Sequence, residues 1–381
     1  MHWAEDMSNK RLKITHVARF AYPHIGGVEA VIEQINKCLP DDKFEKEVYC
    51  CSNTEKSSVD EGVKHVRCKY LFDFAANSIS PHLFFKMMFL KTDIIHFHMP
   101  VIQNVVIWFI LYHLGLLRYK KLIITYHGAI IGYDKYMKPF WGLYRYFFSK
   151  ADKIHVLSPT IIDTDDILSS NREKCVVIPY GVNLDTPDLS NSETINGVDI
   201  KKFANNKKIL LCVGRLVSLK GFDIAIQAIK DIDDAVLLIV GDGAEQKNYE
   251  EFIKTNSLED KVKLLGFVQK KEKDYLFKSI DILLMTSTRT ESFGIVQLEA
   301  MKYSKPVINT NLQTGMNYVS VDKETGLTVE PCSVSQLTSA IKMLCENDDL
   351  RMTLGNNARK RVKEKFDINK IKNEYQKLYN F

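Results

Sequence analysis

The residues best suited to chemistry fall in three short blocks. Val213-Gly214-Arg215-Leu216-Val217-Ser218-Leu219-Lys220-Gly221 places a guanidinium and an ammonium five positions apart in a loop bounded by glycines. A fixed fork of N–H donors beside a compact point charge suits a diphosphate. The same cations would steady a leaving group as its negative charge develops. The second block, Thr290-Glu291-Ser292-Phe293-Gly294-Ile295-Val296-Gln297-Leu298-Glu299, sets two carboxylates eight positions apart across the start of a helix. Carboxylates accept hydrogen bonds from sugar and ribose hydroxyls. Such a pair is also the equipment of a glycosidase-type acid and nucleophile. Because it shares one half of the chain with the cationic loop, an anionic ligand held by its hydroxyls fits better. The third block is Gly26-Gly27, where a chain without Cβ atoms enters a helix and can come close to a phosphate at free N–H donors. It is not the G-x-G-x-x-G of a nicotinamide site.

These blocks need elements to hold them, and the chain alternates strand and helix patterns twice over, the signature of α/β architecture with parallel sheets. In the first half the predicted strands are Leu12–Ala18, Lys46–Cys50, Asp93–His98, Leu122–Tyr126, Lys153–Leu157 and Cys175–Ile178. The helix after Gly27 carries Val28, Val31, Ile32 and Ile35 on one face. From Leu184 to Lys208 the chain is rich in Asn, Asp, Ser and Thr and reads as a linker. The second half restarts with strands Ile209–Val213, Val236–Val240, Val262–Leu265, Ile282–Met285 and Pro306–Ile308. Helix patterns lie between them, one with Phe222, Ala225, Ile226 and Ile229 on one face, and a last one spans Ile368–Tyr379. Two doubly wound domains of this kind are expected to face a central cleft with the loops at their strand C-termini, where such sheets bind ligands.

Composition fits this reading and excludes others. The 381 residues are 45% hydrophobic and 26% charged, with 18 Gly and 10 Pro, so disordered, collagen-like and low-complexity classes drop out. A net charge of +5 is too small to argue for nucleic acid. Yet Pro81 to Thr160 holds ten basic residues against three acids, and 17 of the 40 aromatics. Within it, Leu83–Lys91 and Lys135–Phe148 interleave lysines with aromatic residues, and Phe140, Tyr144, Phe147 and Phe148 share one helical face. That combination suits an anionic membrane surface, against the plainer reading of core helices with solvated lysines. The apolar run Val105–Leu117 is too short to span a bilayer and is predicted to be a buried helix. The eight cysteines have no C-x-x-C or metal-finger spacing and are expected as buried free thiols in a reducing cytosol. Met1–Lys10 has no apolar core, so no signal peptide is expected. His96 and His98 point the same way along a strand but show no third metal ligand.

Taken together, Gly26-Gly27-Val28-Glu29, Tyr126-His127-Gly128, Ile178-Pro179-Tyr180-Gly181-Val182-Asn183, Gly214-Arg215 with Lys220-Gly221, Gly241-Asp242-Gly243 and the E-x7-E block from Glu291 to Glu299 resemble the family 4 glycosyltransferases of GT-B fold. The likeness runs from about Leu12 to the C-terminus and points to the branch that builds bacterial surface polysaccharides. It implies an N-terminal acceptor-side Rossmann-like domain (1–190), a C-terminal nucleotide-sugar domain (191–365) and a last helix (366–381) that crosses back to the first. It implies a retaining hexosyltransferase using a nucleotide-diphosphate sugar, a GDP- or UDP-sugar, with no metal or other cofactor. Arg215 and Lys220 would hold the diphosphate, Glu299 the ribose hydroxyls and Glu291 those of the sugar. Ser292, Phe293, Gly294 and Ile295 would complete the donor site, with His127 beside the reacting sugar and Gly27 near the phosphate or acceptor. The favoured mechanism is front-face displacement, because no nucleophile presents itself at the donor site. The implied partner is a lipid-linked glycan in O-antigen or capsule assembly, handled in the cytoplasm, peripherally at the inner face of the membrane, without nucleic acid. Two departures stand out. Tyr180-Gly181 replaces the family's Asn-Gly, and Asn311-Leu312-Gln313-Thr314-Gly315-Met316-Asn317 replaces its Gly-Gly-x-x-Glu. A sugar-nucleotide epimerase on the same fold and a non-catalytic sugar-nucleotide-binding protein are the rival readings. The first would convert the donor without an acceptor. The joint presence of Arg215, Lys220, Glu291 and Glu299 speaks against the second.

Overall fold

The structure is a computed structural model that describes residues 11–74, 77–128, 138–185, 194–289 and 291–380. The Met1–Lys10 lead, Lys135–Met137, Thr290 and the 190/191 boundary lie outside the described residues. The chain forms two compact units, one of Met1–Tyr180 with Asn369–Phe381, the other of Gly181–Ile368.

The first unit is built on strands β1 Leu12–Val17, β2 Phe44–Cys51, β3 Ser58–Asp60, β4 Val63–Cys68, β7 Ile94–Met99, β8 Lys121–Tyr126, β9 Lys153–Val156 and β10 Cys175–Val177. A hairpin of β5 Phe72–Phe74 and β6 Asn77–Ile79 stands apart from that sheet. The sheet order is β10-β9-β8-β7-β1-β2-β4-β3, and every pairing is parallel except β3 with β4. Helices α1 Gly27–Cys38, α2 Pro81–Met88, α3 Ile102–His113 and α4 Trp141–Ser149 cover it. Val31, Ile32 and Ile35 of α1 are buried, as the 3.6-residue period requires. Ser80 caps α2 by accepting the Leu83 N–H, with Pro81 where a missing N–H costs nothing.

The second unit starts with a short hairpin, β11 Thr194–Ile195 and β12 Val198–Asp199, inside the stretch expected to be linker. Its sheet comprises β13 Lys208–Val213, β14 Ala235–Val240, β15 Val262–Gly266, β16 Ile282–Met285, β17 Val307–Thr310 and β18 Gly326–Val329, all parallel, in the order β15-β14-β13-β16-β17-β18. Among its helices are α5 Phe222–Ile229, α6 Lys270–Ser279, α7 Ile295–Met301 and α8 Gly315–Val319. Phe222, Ala225, Ile226 and Ile229 are all buried in its core. Both units are therefore Rossmann-like.

One expectation fails. Tyr144, Phe147 and Phe148 of α4 are fully buried and form no surface. Phe147 packs on Phe97 of β7 and Trp108 of α3, and Phe148 on Tyr126 of β8. Helical spacing of aromatics marks a face, and here that face is the one turned to the sheet. The run Val105–Leu117 is also only partly buried, because Ile110, Tyr112, Leu114 and Leu116 are exposed.

The last helix, α9 Ile368–Tyr379, packs within the first unit on a polar sheet face. Register places His16 opposite His96, and His98, Thr125 and His155 in line on the same side. The hydrogen-bond directions follow from one carbonyl. The Ile178 carbonyl accepts from His155 Nε2–H at 2.8 Å, so His155 Nδ1 is bare. That nitrogen accepts the Thr125 hydroxyl proton at 2.9 Å, and Thr125 Oγ1 accepts from His96 Nε2–H at 2.6 Å. His96 Nδ1 is then bare too and accepts from the Tyr379 hydroxyl at 2.5 Å.

Burial holds these imidazoles neutral: His155 is pushed down to about 4, His16 to about 3, and His96 well below its usual range. Below about pH 6.5 the unfolded chain binds protons that the folded chain refuses, so stability is full above that pH and lost as pH falls. Each histidine contributes up to about 1.4 kcal/mol per pH unit. The melting temperature should therefore fall steeply from about pH 6.5 to 4.5; a flat profile would contradict neutral buried imidazoles. Tyr379→Phe, which strands His96 Nδ1, should cost roughly 1–3 kcal/mol in denaturant unfolding.

Candidate active site

In the second unit the cationic loop follows β13, and close backbone contacts fix its path. Gly214 N–H donates to the Val240 carbonyl at 3.0 Å and Leu216 N–H to the Asp242 carbonyl at 2.9 Å. A Cβ on Gly241 would overlap the Gly214 carbonyl, and one on Gly243 the Leu216 backbone, so Gly241-Asp242-Gly243 is the other half of this clasp. Gly221 has φ +61° and lies against the Thr286 carbonyl, where a side chain has no room. The Thr286 hydroxyl donates to the Lys220 carbonyl at 2.9 Å, tying the loop to the end of β16.

This framework leaves Arg215 exposed, with no ion pair among the described residues. It turns Lys220 onto Glu291, its ion-pair partner through Oε2. Ser287 Oγ donates to the same oxygen at 3.3 Å, and the Glu291 carbonyl accepts from the Thr314 hydroxyl at 2.6 Å. The sequence reading gave Lys220 and Glu291 to separate parts of one ligand; the fold, across 71 positions of sequence, sets them against each other. Glu299, on α7, is paired through Oε1 at 2.7 Å with Lys273 of α6, a residue the sequence reading missed. Gly294 precedes α7 with φ +72°. Phe293 is buried against Phe366, whereas Ser292 and Ile295 are half-buried.

Polar residues that the sequence reading left aside shape this region. Buried Gln297 donates to the Met316 carbonyl at 3.1 Å and accepts from Asn309 at 3.2 Å. Asn317 donates to the Thr310 carbonyl at 3.1 Å, and its Oδ1 accepts the Leu312 N–H at 3.2 Å. Thus the segment that replaces Gly-Gly-x-x-Glu is anchored by its own amide network. The only advance signal was Asn and Gln clustered at a strand end.

In the first unit, His127 follows β8 and is almost buried. Its Nε2 lies 3.0 Å from His98 Nδ1, and His98 Nε2 lies 2.9 Å from His16 Nδ1. Neutral imidazoles each give one proton and accept one, so one end fixes the whole chain. His16 Nε2 and Asn36 Oδ1 are both buried without a hydrogen-bond partner among the described residues. Burial pushes the His127 pKa down to about 3, so the ring is neutral.

His16 also supplies the third imidazole that the spacing of His96 and His98 does not reveal: one nitrogen from each lies within 4.8 Å of the others. Both nitrogens of His96 and of His98 are already hydrogen bonded, to Tyr379 and Thr125 and to His16 and His127, so a cation there would have to break such bonds. Gly27 is the first residue of α1, and a Cβ built on it meets nothing within 4 Å, whereas one on Gly26 would strike the Glu29 carboxylate.

Two Rossmann-like units, the second with cations and carboxylates on the loops leaving its strands, are the architecture of GT-B glycosyltransferases. The profile described as Glycosyltransferase Family 4 matches residues 25–186, and that described as Glycosyl transferases group 1 matches residues 197–361. An uncharacterised glycosyltransferase of Methanocaldococcus jannaschii, MJ1178, is 32% identical over 94% of this chain and 95% of its own length. O-antigen chain mannosyltransferase C of Escherichia coli is 25% identical over 97% of this chain and 98% of its own. Among solved structures, Anabaena HepE in complex with UDP-glucose superposes with a TM-score of 0.76 at 19% identity, covering 97% of this chain and 100% of that one. The chain belongs to the family 4 glycosyltransferases and has the GT-B fold.

Since no described residue fills the space over Gly27, Gly27→Ala should leave stability unchanged or raise it by up to about 1 kcal/mol. If a ligand uses that space, the same variant loses turnover. Melting curves beside initial rates separate the two effects; a lowered melting temperature would make the glycine structural.

Proposed function

We propose that the protein moves a hexose-type sugar, with retention at the anomeric carbon, from a nucleotide-diphosphate sugar to a lipid-linked or polysaccharide acceptor in surface-glycan assembly. The observation that carries this reading is the clasped loop after β13, which offers Arg215 to solvent and holds Lys220 against Glu291. The name of the Escherichia coli relative, an O-antigen chain mannosyltransferase, supports the acceptor class. The UDP-glucose complex of the HepE structure makes UDP-sugars, beside GDP-sugars, the donors to try first.

In this reading Arg215 and Lys220 hold the diphosphate. Glu291 takes hydroxyls of the donor sugar while its Oε2 steadies Lys220, and Glu299 takes the ribose hydroxyls with Lys273 fixing its Oε1. Main-chain groups of Ser292 to Ile295 line the donor. Gly27 admits a phosphate or acceptor oxygen, and His127 sits beside the reacting sugar. The anomeric C–O bond to the β-phosphate breaks as the acceptor oxygen bonds to the same face. The acceptor's proton passes to the departing phosphate oxygen, so nucleoside diphosphate leaves with it. Two side-chain cations meet the developing charge, and no metal is needed. The free, mostly buried cysteines suit a reducing cytoplasmic compartment. Among the described residues no helix is long and apolar enough to cross a membrane.

A thermal-shift screen of UDP-, GDP- and ADP-sugars tests the donor. A ligand at about 100 times its Kd stabilises by about 2.7 kcal/mol, and silence from every nucleotide sugar would overturn the assignment. With an accepted donor, Arg215→Ala should lower kcat by on the order of 10²-fold, and EDTA should leave the rate unchanged. Product NMR should show the donor's anomeric configuration.

A further inference from the structure

With α4 buried, the exposed aromatics of the first unit lie elsewhere. Leu71, Phe72 and Phe74 on the β5 side of the hairpin, and Phe85 and Phe89 on α2, are each more than half exposed, Phe89 at 76%. The hairpin and α2 are tied to one another. The Leu71 N–H donates to the Ile79 carbonyl, Ser80 caps α2 and also donates to the Lys69 carbonyl, and the Lys69 N–H donates to His82 of α2. While Leu83 and Met87 face the core, His82, Phe85, Lys86 and Phe89 form the outer side of α2, at i, i+3, i+4 and i+7. Beyond Phe89, Lys91 bridges Arg118, which brings exposed Leu114 and Leu116 to the same end.

The charges around these groups have one sign. Lys69, Lys86, Lys91 and Arg118 enter no ion pair among the described residues, while the acids of this stretch are engaged, Asp73 by Arg19 and Asp93 by Lys120. We propose that the β5–β6 hairpin and the outer side of α2 form a docking face for an anionic lipid bilayer, with the aromatic rings in the acyl boundary and the basic side chains at the headgroups. An eight-residue helix lies in that interface and does not span it. A second copy of the chain is a poorer occupant, since a two-fold contact would set this basic rim against itself. The proposal deepens the reading that the acceptor is lipid-linked, but docking itself needs no sugar chemistry.

The test is flotation of the purified full chain with phosphatidylcholine vesicles, with and without about 30% phosphatidylglycerol, at low and high salt. Binding should require the anionic lipid and weaken with salt. Phe85→Ser with Phe89→Ser should cut vesicle binding at least tenfold, and Lys86→Glu with Lys91→Glu should remove its salt dependence. Both double variants should keep wild-type melting curves and nucleotide-sugar shifts. Absence of vesicle binding, variants that bind like the wild type, or a concentration-dependent dimer dissolved by the Phe changes would each overturn the proposal. A donor shift without vesicle binding removes only the docking face; vesicle binding without any donor shift removes only the proposed function.

Discussion

Burying imidazoles uncharged is the constraint on which the first unit turns. His16, His96, His98 and His155 lie on one face of its sheet, fully buried, with Thr125 between them. An apolar helix laid over that face would strand His96 Nδ1 at a cost of about 1–3 kcal/mol. The last helix instead brings the Tyr379 hydroxyl to His96 and the Tyr375 ring edge to His155. The fit is directional: Tyr379 must donate, because the Ile178 carbonyl, at the far end of the chain of bonds, can only accept. On the same face His98 joins His16 to His127, a side chain that the sequence marks only by the motif around it. Hydrophobic burial would accept the helix in several registers; the hydrogen bonds select one.

The second unit solves a different problem with the same economy of freedom. Arg215 and Lys220 sit on a loop, which by itself would be mobile. Its path is imposed by backbone contacts at Gly214, Gly241, Gly243 and Gly221, where there is no space for Cβ. Behind it, Gln297, Asn309 and Asn317 satisfy one another and the neighbouring carbonyls in a buried network. A fully paired amide network of this kind specifies a local shape more sharply than apolar packing can. That explains how the Asn311–Asn317 segment holds an ordered course without the Gly-Gly-x-x-Glu pattern that the family resemblance leads one to expect there.

How much of this was legible in sequence depends on how local the cause is. Strands with continuous apolar runs, such as Ile282–Met285, and helices with a clean 3.6-residue period, such as Ile368–Tyr379, were readable to within a residue. Strand β4, Val-Lys-His-Val-Arg-Cys, was not. Its His65 and Arg67 are buried, and Arg67 is paid for by hydrogen bonds to the Lys56 and Tyr22 carbonyls that no local pattern announces. The family motifs named the charged residues of the site but not their partners. Lys220 with Glu291 and Lys273 with Glu299 are facts of tertiary structure, because an ion pair has no sequence period. The basic aromatic quarter shows the same limit: spacing put Tyr144, Phe147 and Phe148 on one face, and only packing could say that the face looks inward.

The Lys220–Glu291 pair bears on the chemistry proposed for the second unit. A lysine carries roughly 2 kcal/mol of rotamer freedom, which a ligand must freeze if the protein has not already done so. Glu291 holds the ammonium beforehand, and Glu291 is itself held by Ser287 through its side chain and by Thr314 through its carbonyl. The pair is only about one-fifth exposed, so its mutual attraction is weakly screened. A carboxylate beside the ammonium also lowers the local positive charge, which weakens ground-state attraction for the diphosphate. In the proposed reaction, charge would accumulate on the phosphate as the glycosidic bond breaks, and the pull of Lys220 on it would grow while that between Lys220 and Glu291 stayed the same. An arrangement that binds the transition state better than the bound donor is the kind that raises kcat rather than affinity alone.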